Sequence, residues 1–189
     1  MSLAAQEASA LSAARSTGAR YGEPRVTVPQ TALSDDLVAN PLGHGSSIHV
    51  NPPREGMSPA YGELYGGEGV WDVHIYWKPN NLDEKEYARK LHAAIRREFP
   101  ELHVKRFWEV PIGPHPTPMF EVNMFNAAQL GAIFNYLVEN RGPLSVLIHP
   151  NTGRTTGDHT TRATWLGPKI ELDTDPLRKV DADNGVPPE

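Results

Sequence analysis

Histidine is the residue type that most invites a chemical reading of this chain, which carries eight of them and no cysteine. Disulfides, thiolate-held metals and thiol nucleophiles are therefore excluded, and metal chemistry falls to imidazole and carboxylate. Two histidines stand in segments whose alternation tells which way they point. Along Val70–Trp77, Val73, Ile75 and Trp77 alternate with Asp72, His74 and Tyr76, so a strand puts His74 on its polar face. Along Leu144–His149, Leu144, Val146 and Ile148 are the core set, which sends Ser145, Leu147 and His149 to the other side. Imidazole suits iron, zinc and copper, and a mononuclear oxygenase site needs two or three protein ligands with positions left open. Glu121, Asp72 and Asp158 are the carboxylates that such a site can recruit.

Each histidine also has a plainer reading. His74 in a strand is commonly a hydrogen-bonded structural residue. His149, just before Pro150, suits a strand-end carbonyl. His115, between Pro114 and Pro116, reads as a rigid loop residue packing on Trp108 or Trp165, and His159 as a surface partner of Asp158. His92 in a helix and His103 near a strand start are expected to be solvated, and His44 and His49 to be exposed.

The elements that must position these groups are legible from about Gly69 onward. After the first strand, Asn81 with Glu84 makes a capping box, and Tyr87, Ala88, Leu91, Ala94 and Ile95 form the buried stripe of a helix ended by Phe99-Pro100. A second strand is expected over Leu102–Val110, a proline-rich connection over Pro111–Pro118 and a third strand over Met119–Phe125. Asn126 with Gln129 caps a second helix whose apolar face is Leu130, Ile133, Phe134, Leu137 and Val138. Gly142 closes that helix before the fourth strand. The order βαββαβ predicts an α+β, ferredoxin-like domain: a four-stranded antiparallel sheet with two helices on one face and the other face open. On the third strand, parity gives Phe120, Val122 and Met124 to the core and Glu121 and Asn123 to the open face.

Three segments follow for the 189 residues: an N-terminal arm over 1–67, the domain over 68–167 and a C-terminal tail over 168–189. The Ala/Ser-rich stretch Ala4–Ser16 is expected to be a frayed helix or disordered, and the Pro/Gly-rich remainder of the arm to lie extended over the surface. A net charge of −5 with dispersed Lys and Arg gives no footprint for nucleic acid and no polybasic membrane patch. No apolar run reaches the length of a membrane span, and the N-terminus lacks a signal-peptide core. A soluble, cytoplasmic protein is expected.

Four segments together carry a resemblance: Asp72-Val73-His74-Ile75-Tyr76, Pro111–Val122 with Gly113-Pro114-His115-Pro116, Asn140–Pro150, and Asp158-His159-Thr160 with Ala163–Gly167. In this order they resemble the DOPA 4,5-dioxygenase family of fungi and bacteria, over about residues 70–170. The resemblance implies extradiol opening of a small aromatic diol such as L-DOPA by dioxygen, with iron(II) the expected metal and zinc a possible occupant on purification. It implies His74, His115, His149 and His159 as the functional histidines. Within that set, His74, His149 and His159 are expected to hold metal, and His115 and His159 to handle protons, His115 with a pKa near neutrality. Tyr76, Glu121 and Asn123 are expected to face the substrate. Many bacterial members read His-x-His where this chain has Asp72-Val73-His74, and Thr-Gly-Asp where it has Thr152-Gly153-Arg154. The alternative is a non-catalytic ferredoxin-like module that binds or dimerises through its open face, and a homodimer is expected on either reading.

Overall fold

The computed structural model describes residues 23, 32–41, 46–52 and 70–188. The expected helix over Ala4–Ser16 and His44 lie outside them. Two short strands, β1 (Leu37–Val38) and β2 (Ile48–His49), pair with each other. The main body then runs β3 (Trp71–Tyr76), α1 (Leu82–Glu98), β4 (His103–Val104), β5 (Met119–Met124) and α2 (Ala127–Asn140). It continues with β6 (Ser145–Pro150), α3 (Thr155–His159), β7 (Thr164–Leu166) and α4 (Asp175–Asp183).

The fold is α+β, with an antiparallel sheet in the order β4-β5-β3-β6-β7. Five strands replace the expected four, because the chain after β6 returns through α3 and adds β7 to the free edge of β6. The second strand is shorter than expected. Only His103–Val104 pair as a strand, and beyond them single contacts persist from Lys105 N to the carbonyl of Glu121 (2.9 Å) and between Trp108 and Met119.

Local chemistry sets the helix ends. The side chain of Asn81 accepts from the N–H of Glu84 at 3.1 Å, whereas Glu84 turns back to the N–H of Lys78 (2.9 Å) and the amide of Asn81 (2.9 Å) rather than to the Asn81 backbone. Asn126 likewise accepts from Gln129 N, and Gln129 returns to Phe125 N. Tyr87, Ala88, Leu91 and Ile95 of α1, with Ile133 and Leu137 of α2, pack on Val73, Ile75, Phe120, Val122, Val146 and Ile148 in one core. Both helices thus cover the predicted face, and each fully buried aliphatic side chain contributes about 1.5–3 kcal/mol. Val138 departs from the expected stripe and is 55% exposed. His92 and His103 are buried rather than solvated. The ring of His92 sits edge-on to Phe120 and its Nε2 donates to the carbonyl of Lys105, while His103 packs edge-on against Phe125. His49 is half-buried against His92.

Gly142, just after α2, has φ +55°, and a Cβ there would meet the Tyr87 ring at 2.7 Å. Tyr87 cannot retreat freely, because it is buried and its hydroxyl donates to the carbonyl of Asn140. Gly142→Ala should therefore lose roughly 2–4 kcal/mol, from left-handed backbone strain plus overpacking. Urea unfolding should show a lower midpoint with an unchanged slope.

The second face is covered, not open. Tyr76, Trp108, Met119 and Leu147 form a second buried cluster, onto which Ala163, Trp165, Ile170 and Leu172 pack. Residues 168–186 continue past the expected end of the domain, with α4 held by the buried Leu177 and Asp181. Among the described residues, no helix is long and apolar enough to cross a membrane.

Candidate metal centre

Register fixes where the site sits. On β3, His74 lies opposite Glu121 of β5 and Leu147 of β6, and Asp72 lies opposite Asn123 and His149. His74 and His149 are thus diagonal neighbours on one face, within reach of each other. Their Nε2 atoms are 2.9 Å apart. Two histidines from outside the strands join them. His159, the last residue of α3, lies tilted 3.9 Å from the His149 ring, and His115 lies 4.3 Å from the His74 ring, measured between centroids. All four predicted histidines therefore meet behind the second apolar cluster, with His149 0%, His74 3% and His115 6% exposed.

Backbone carbonyls choose the tautomers. His149 Nδ1 is 2.9 Å from the carbonyl of Pro150, and His159 Nδ1 is 2.9 Å from that of Thr155. A carbonyl only accepts, so each Nδ1 carries its proton and each Nε2 offers a lone pair. The strand-end role suggested for His149 is real, and it orients the ring rather than competing with ligation. His159 is no surface partner of Asp158. That carboxylate instead accepts from the N–H and hydroxyl of Thr152, at 2.8 and 2.7 Å, and holds the turn after β6.

One ring nitrogen from each of His74, His149 and His159 lies within 4.8 Å of the others. Two ligands about 2.0–2.1 Å from an ion and at right angles to each other stand about 2.9 Å apart, the separation found between His74 and His149. Burial, first, and the neighbouring imidazoles hold His74 well below its ordinary pKa, and burial likewise lowers His149 and His159. Rings held below their ordinary pKa favour the neutral form, in which each could offer a lone pair to a metal, and Nδ1 of His74 is buried without a hydrogen-bond partner. The donor set fits a borderline divalent metal.

The other predicted residues divide. The Tyr76 hydroxyl is 2.8 Å from His115 Nδ1, and its ring stacks on Trp165 at 5.6 Å. Burial, then the Glu121 charge, raises the Tyr76 pKa, so it remains a phenol. His115 packs on His74 and Tyr76 rather than on a tryptophan. Burial pushes its pKa down to about 3, away from the expected neutrality. Asn123 bridges Asp72 and Glu121, and Asn151 donates to the second oxygen of Asp72 at 2.9 Å. Burial and the Glu121 charge raise the Asp72 pKa. Arg154 is exposed at the start of α3.

Lys105, which sequence reasoning missed, pairs with Glu121 at 2.8 Å beside this network. Parity would have found it, since Lys105 follows His103 by two residues on a strand edge. Asn151 and Asp181 carry no comparable local signal.

His92, His115 and His149 are each pushed down to about 3, burial being the first cause in every case. The unfolded chain binds these protons near pH 6.5 and the folded one does not, so the stability they contribute is complete above about 6.5 and is lost as pH falls towards 3. The melting temperature of the metal-free protein should decline below about pH 6.5, because the raised Asp72 offsets only one of these groups and the ordinary carboxylates titrate lower. His92→Gln, which keeps a donor for the Lys105 carbonyl, should flatten that decline in thermal melts.

Comparison with known proteins gives the chain its relatives. An uncharacterised 21.2 kDa protein of Botryotinia fuckeliana is 50% identical over 122 residues, covering 61% of this chain and 67% of that one. The DOPA 4,5-dioxygenase of Amanita muscaria is 36% identical over 107 residues, 54% of this chain, and the match spans only 46% of its own length. A crystal structure of a candidate dioxygenase from Nostoc punctiforme superimposes with a TM-score of 0.52 at 28% identity, covering 60% of this chain and 94% of that one. Residues 71–176, which include all four clustered histidines, match the Dopa 4,5-dioxygenase family. The chain belongs to that family.

Proposed function

We propose that the protein is a metal-dependent dioxygenase that opens a catechol ring by extradiol cleavage, with iron(II) as the working metal and L-DOPA or a related aromatic diol as substrate. The observation that carries this reading is the convergence of His74, His149 and His159 in a buried, neutral donor set. Family membership and the name of the Amanita relative supply the reaction class. The same reading takes β3, α1, β4, β5, α2 and β6 as a ferredoxin-like unit widened by β7.

In this reaction both atoms of dioxygen enter the product, so no external reductant is needed. Iron(II), when bound, would bring the diol and dioxygen together and activate both for reaction. The remaining work falls to side chains. His115 is neutral at working pH and accepts a proton from the diol. Tyr76, 2.8 Å from His115 Nδ1, orients that ring and can exchange donor and acceptor roles with it. Glu121 and Asn123, tied to Lys105 and Asp72, form a polar wall on the opposite strand that can orient the substrate. Trp165, Ile170 and Leu172 keep water from the apolar end.

The test is protein loaded anaerobically with iron(II), then mixed with dioxygen and a panel of catechols. Expected are a yellow ring-opened product and uptake of one dioxygen per diol, with zinc-loaded protein inactive. An uncleaved panel with stoichiometric iron bound would sink the ring-cleavage reading.

A further inference from the structure

His159 is held differently from the two strand histidines. It ends a helix of five residues, Thr155–His159, too short to be stable alone. Its ring is oriented by one hydrogen bond, from Nδ1 to the carbonyl of Thr155 at the first turn of that helix. The helix must therefore be kept formed for the ring to point into the site. Its own N-cap position cannot do this: Arg154 stands there, a residue with no acceptor, and makes no side-chain cap. The missing acceptor comes from elsewhere. Asp181, on α4 and buried, accepts from the N–H of Thr155 at 2.7 Å and from that of Thr156 at 2.8 Å, one oxygen to each. The Thr156 side chain, and then these backbone hydrogen bonds, hold the Asp181 carboxyl below its ordinary pKa, which favours the anion. The same C-terminal segment also reaches the loop histidine, since the N–H of Asp173 donates to the carbonyl of Pro114, next to His115.

We infer that Asp181 is a positioning residue for the metal centre: it caps α3 from the C-terminal helix and so sets the orientation of His159. It lies beyond the residues that match the family. Its consequence for metal rests on the proposed function, whereas its action on the His159 ring does not. Removing the cap should loosen the first turn of α3, free the Thr155 carbonyl from its fixed place and let the His159 ring sample both tautomers. Metal affinity should then fall about ten- to a hundredfold, the usual range for losing a residue that orients a ligand.

Two readouts test this on the full chain. In metal-free protein, ring-nitrogen NMR should show His159 as the Nδ1–H tautomer, and Asp181→Ala and Asp181→Asn should each average its shifts between tautomers. In cobalt(II) titrations, Asp181→Ala should bind more weakly with an absorption spectrum approaching that of His159→Ala. It should cost nothing further in the His159→Ala background, because the two act through one group. Arg154→Asp, which places an acceptor at the N-cap itself, should restore both readouts in Asp181→Ala.

Unchanged His159 shifts with cobalt affinity within about twofold of wild type would overturn the inference. So would an equal loss of affinity in the His159→Ala background, or global unfolding of Asp181→Ala that Arg154→Asp does not repair. Wild-type protein that binds no cobalt, zinc or iron would instead remove the metal reading, and the NMR comparison would still decide the role of Asp181.

Discussion

His149→Ala is expected to abolish metal binding and, with it, ring cleavage. His149 is fully buried on the central part of the sheet, and its Nδ1 is committed to the Pro150 carbonyl, so its Nε2 has nowhere to point but the site. Removing it leaves two imidazoles, one of which, His159, stands on a five-residue helix. Metal content should drop from about one per chain to near zero, and turnover by a factor of about 10³ or more. The substitution also leaves a cavity and strands a carbonyl, costing about 1–3 kcal/mol of stability. His92→Ala controls for that cost, because His92 is also buried, also bonded to a carbonyl, and packed on the opposite face of the sheet against Phe120. It should lose comparable stability and keep its metal. Elemental analysis and dioxygen uptake on the two variants give the answer. Retention of stoichiometric metal by His149→Ala would remove this histidine from the ligand set.

The two strand histidines were legible because a strand writes its facing in the sequence with period two. Val73/Ile75/Trp77 and Leu144/Val146/Ile148 claim one face so clearly that His74 and His149 have only the other, and the register confirms that they meet. The same logic placed Glu121 and Asn123 correctly. Where it failed, the governing contacts were non-local. β7 is three residues long, too short to carry a pattern, and α4 has only Leu177 buried as an apolar anchor. Nothing within either segment says that it folds back over the sheet. The need for a cover is nevertheless written on the second face. Parity puts Tyr76, Met119 at the start of β5 and Leu147 on the supposedly polar face, and large apolar groups there require a cover. That cover is the chain after β6, which also supplies His159. The failures at His92 and His103 have another cause. His92 lies mid-way along α1 beside its buried stripe and turns onto Phe120, whereas His103 lies in the two-residue edge strand β4 and turns onto Phe125.

Burial of the site also bears on its charge balance. Three neutral imidazoles add no negative charge to offset a divalent ion, and the nearby carboxylates are partly engaged. Glu121 is paired with Lys105, and Asp72 accepts from Asn123 and Asn151 while its own ionisation is disfavoured. A doubly charged metal in such surroundings favours an anionic ligand in its remaining positions, and a catechol that loses a proton on binding is one. Proton removal is therefore coupled to substrate binding on the proposed function, which gives a definite task to the histidine outside the ligand set.

His115→Gln should separate that task from metal binding. His115 is the clustered histidine that lies outside the converging trio, and it comes from the proline-flanked loop rather than from a strand or helix. Glutamine keeps an amide able to hydrogen-bond the Tyr76 hydroxyl but cannot take up a proton, so the packing survives and the base does not. Metal content should remain at about one per chain while kcat falls about 10²–10⁴-fold. The pH profile gives the sign. A base works only when neutral, so wild-type kcat should fall as pH drops through the His115 pKa of the substrate complex. In the variant that acid limb should disappear. Burial holds the free ring down to about 3, and a catecholate beside it would move that value upward. Tyr76→Phe should be milder, because it removes only the group that orients the ring, and should preserve the acid limb with kcat lowered about tenfold. Loss of metal in His115→Gln would instead make His115 a ligand, and an unchanged kcat would leave the proton to another group.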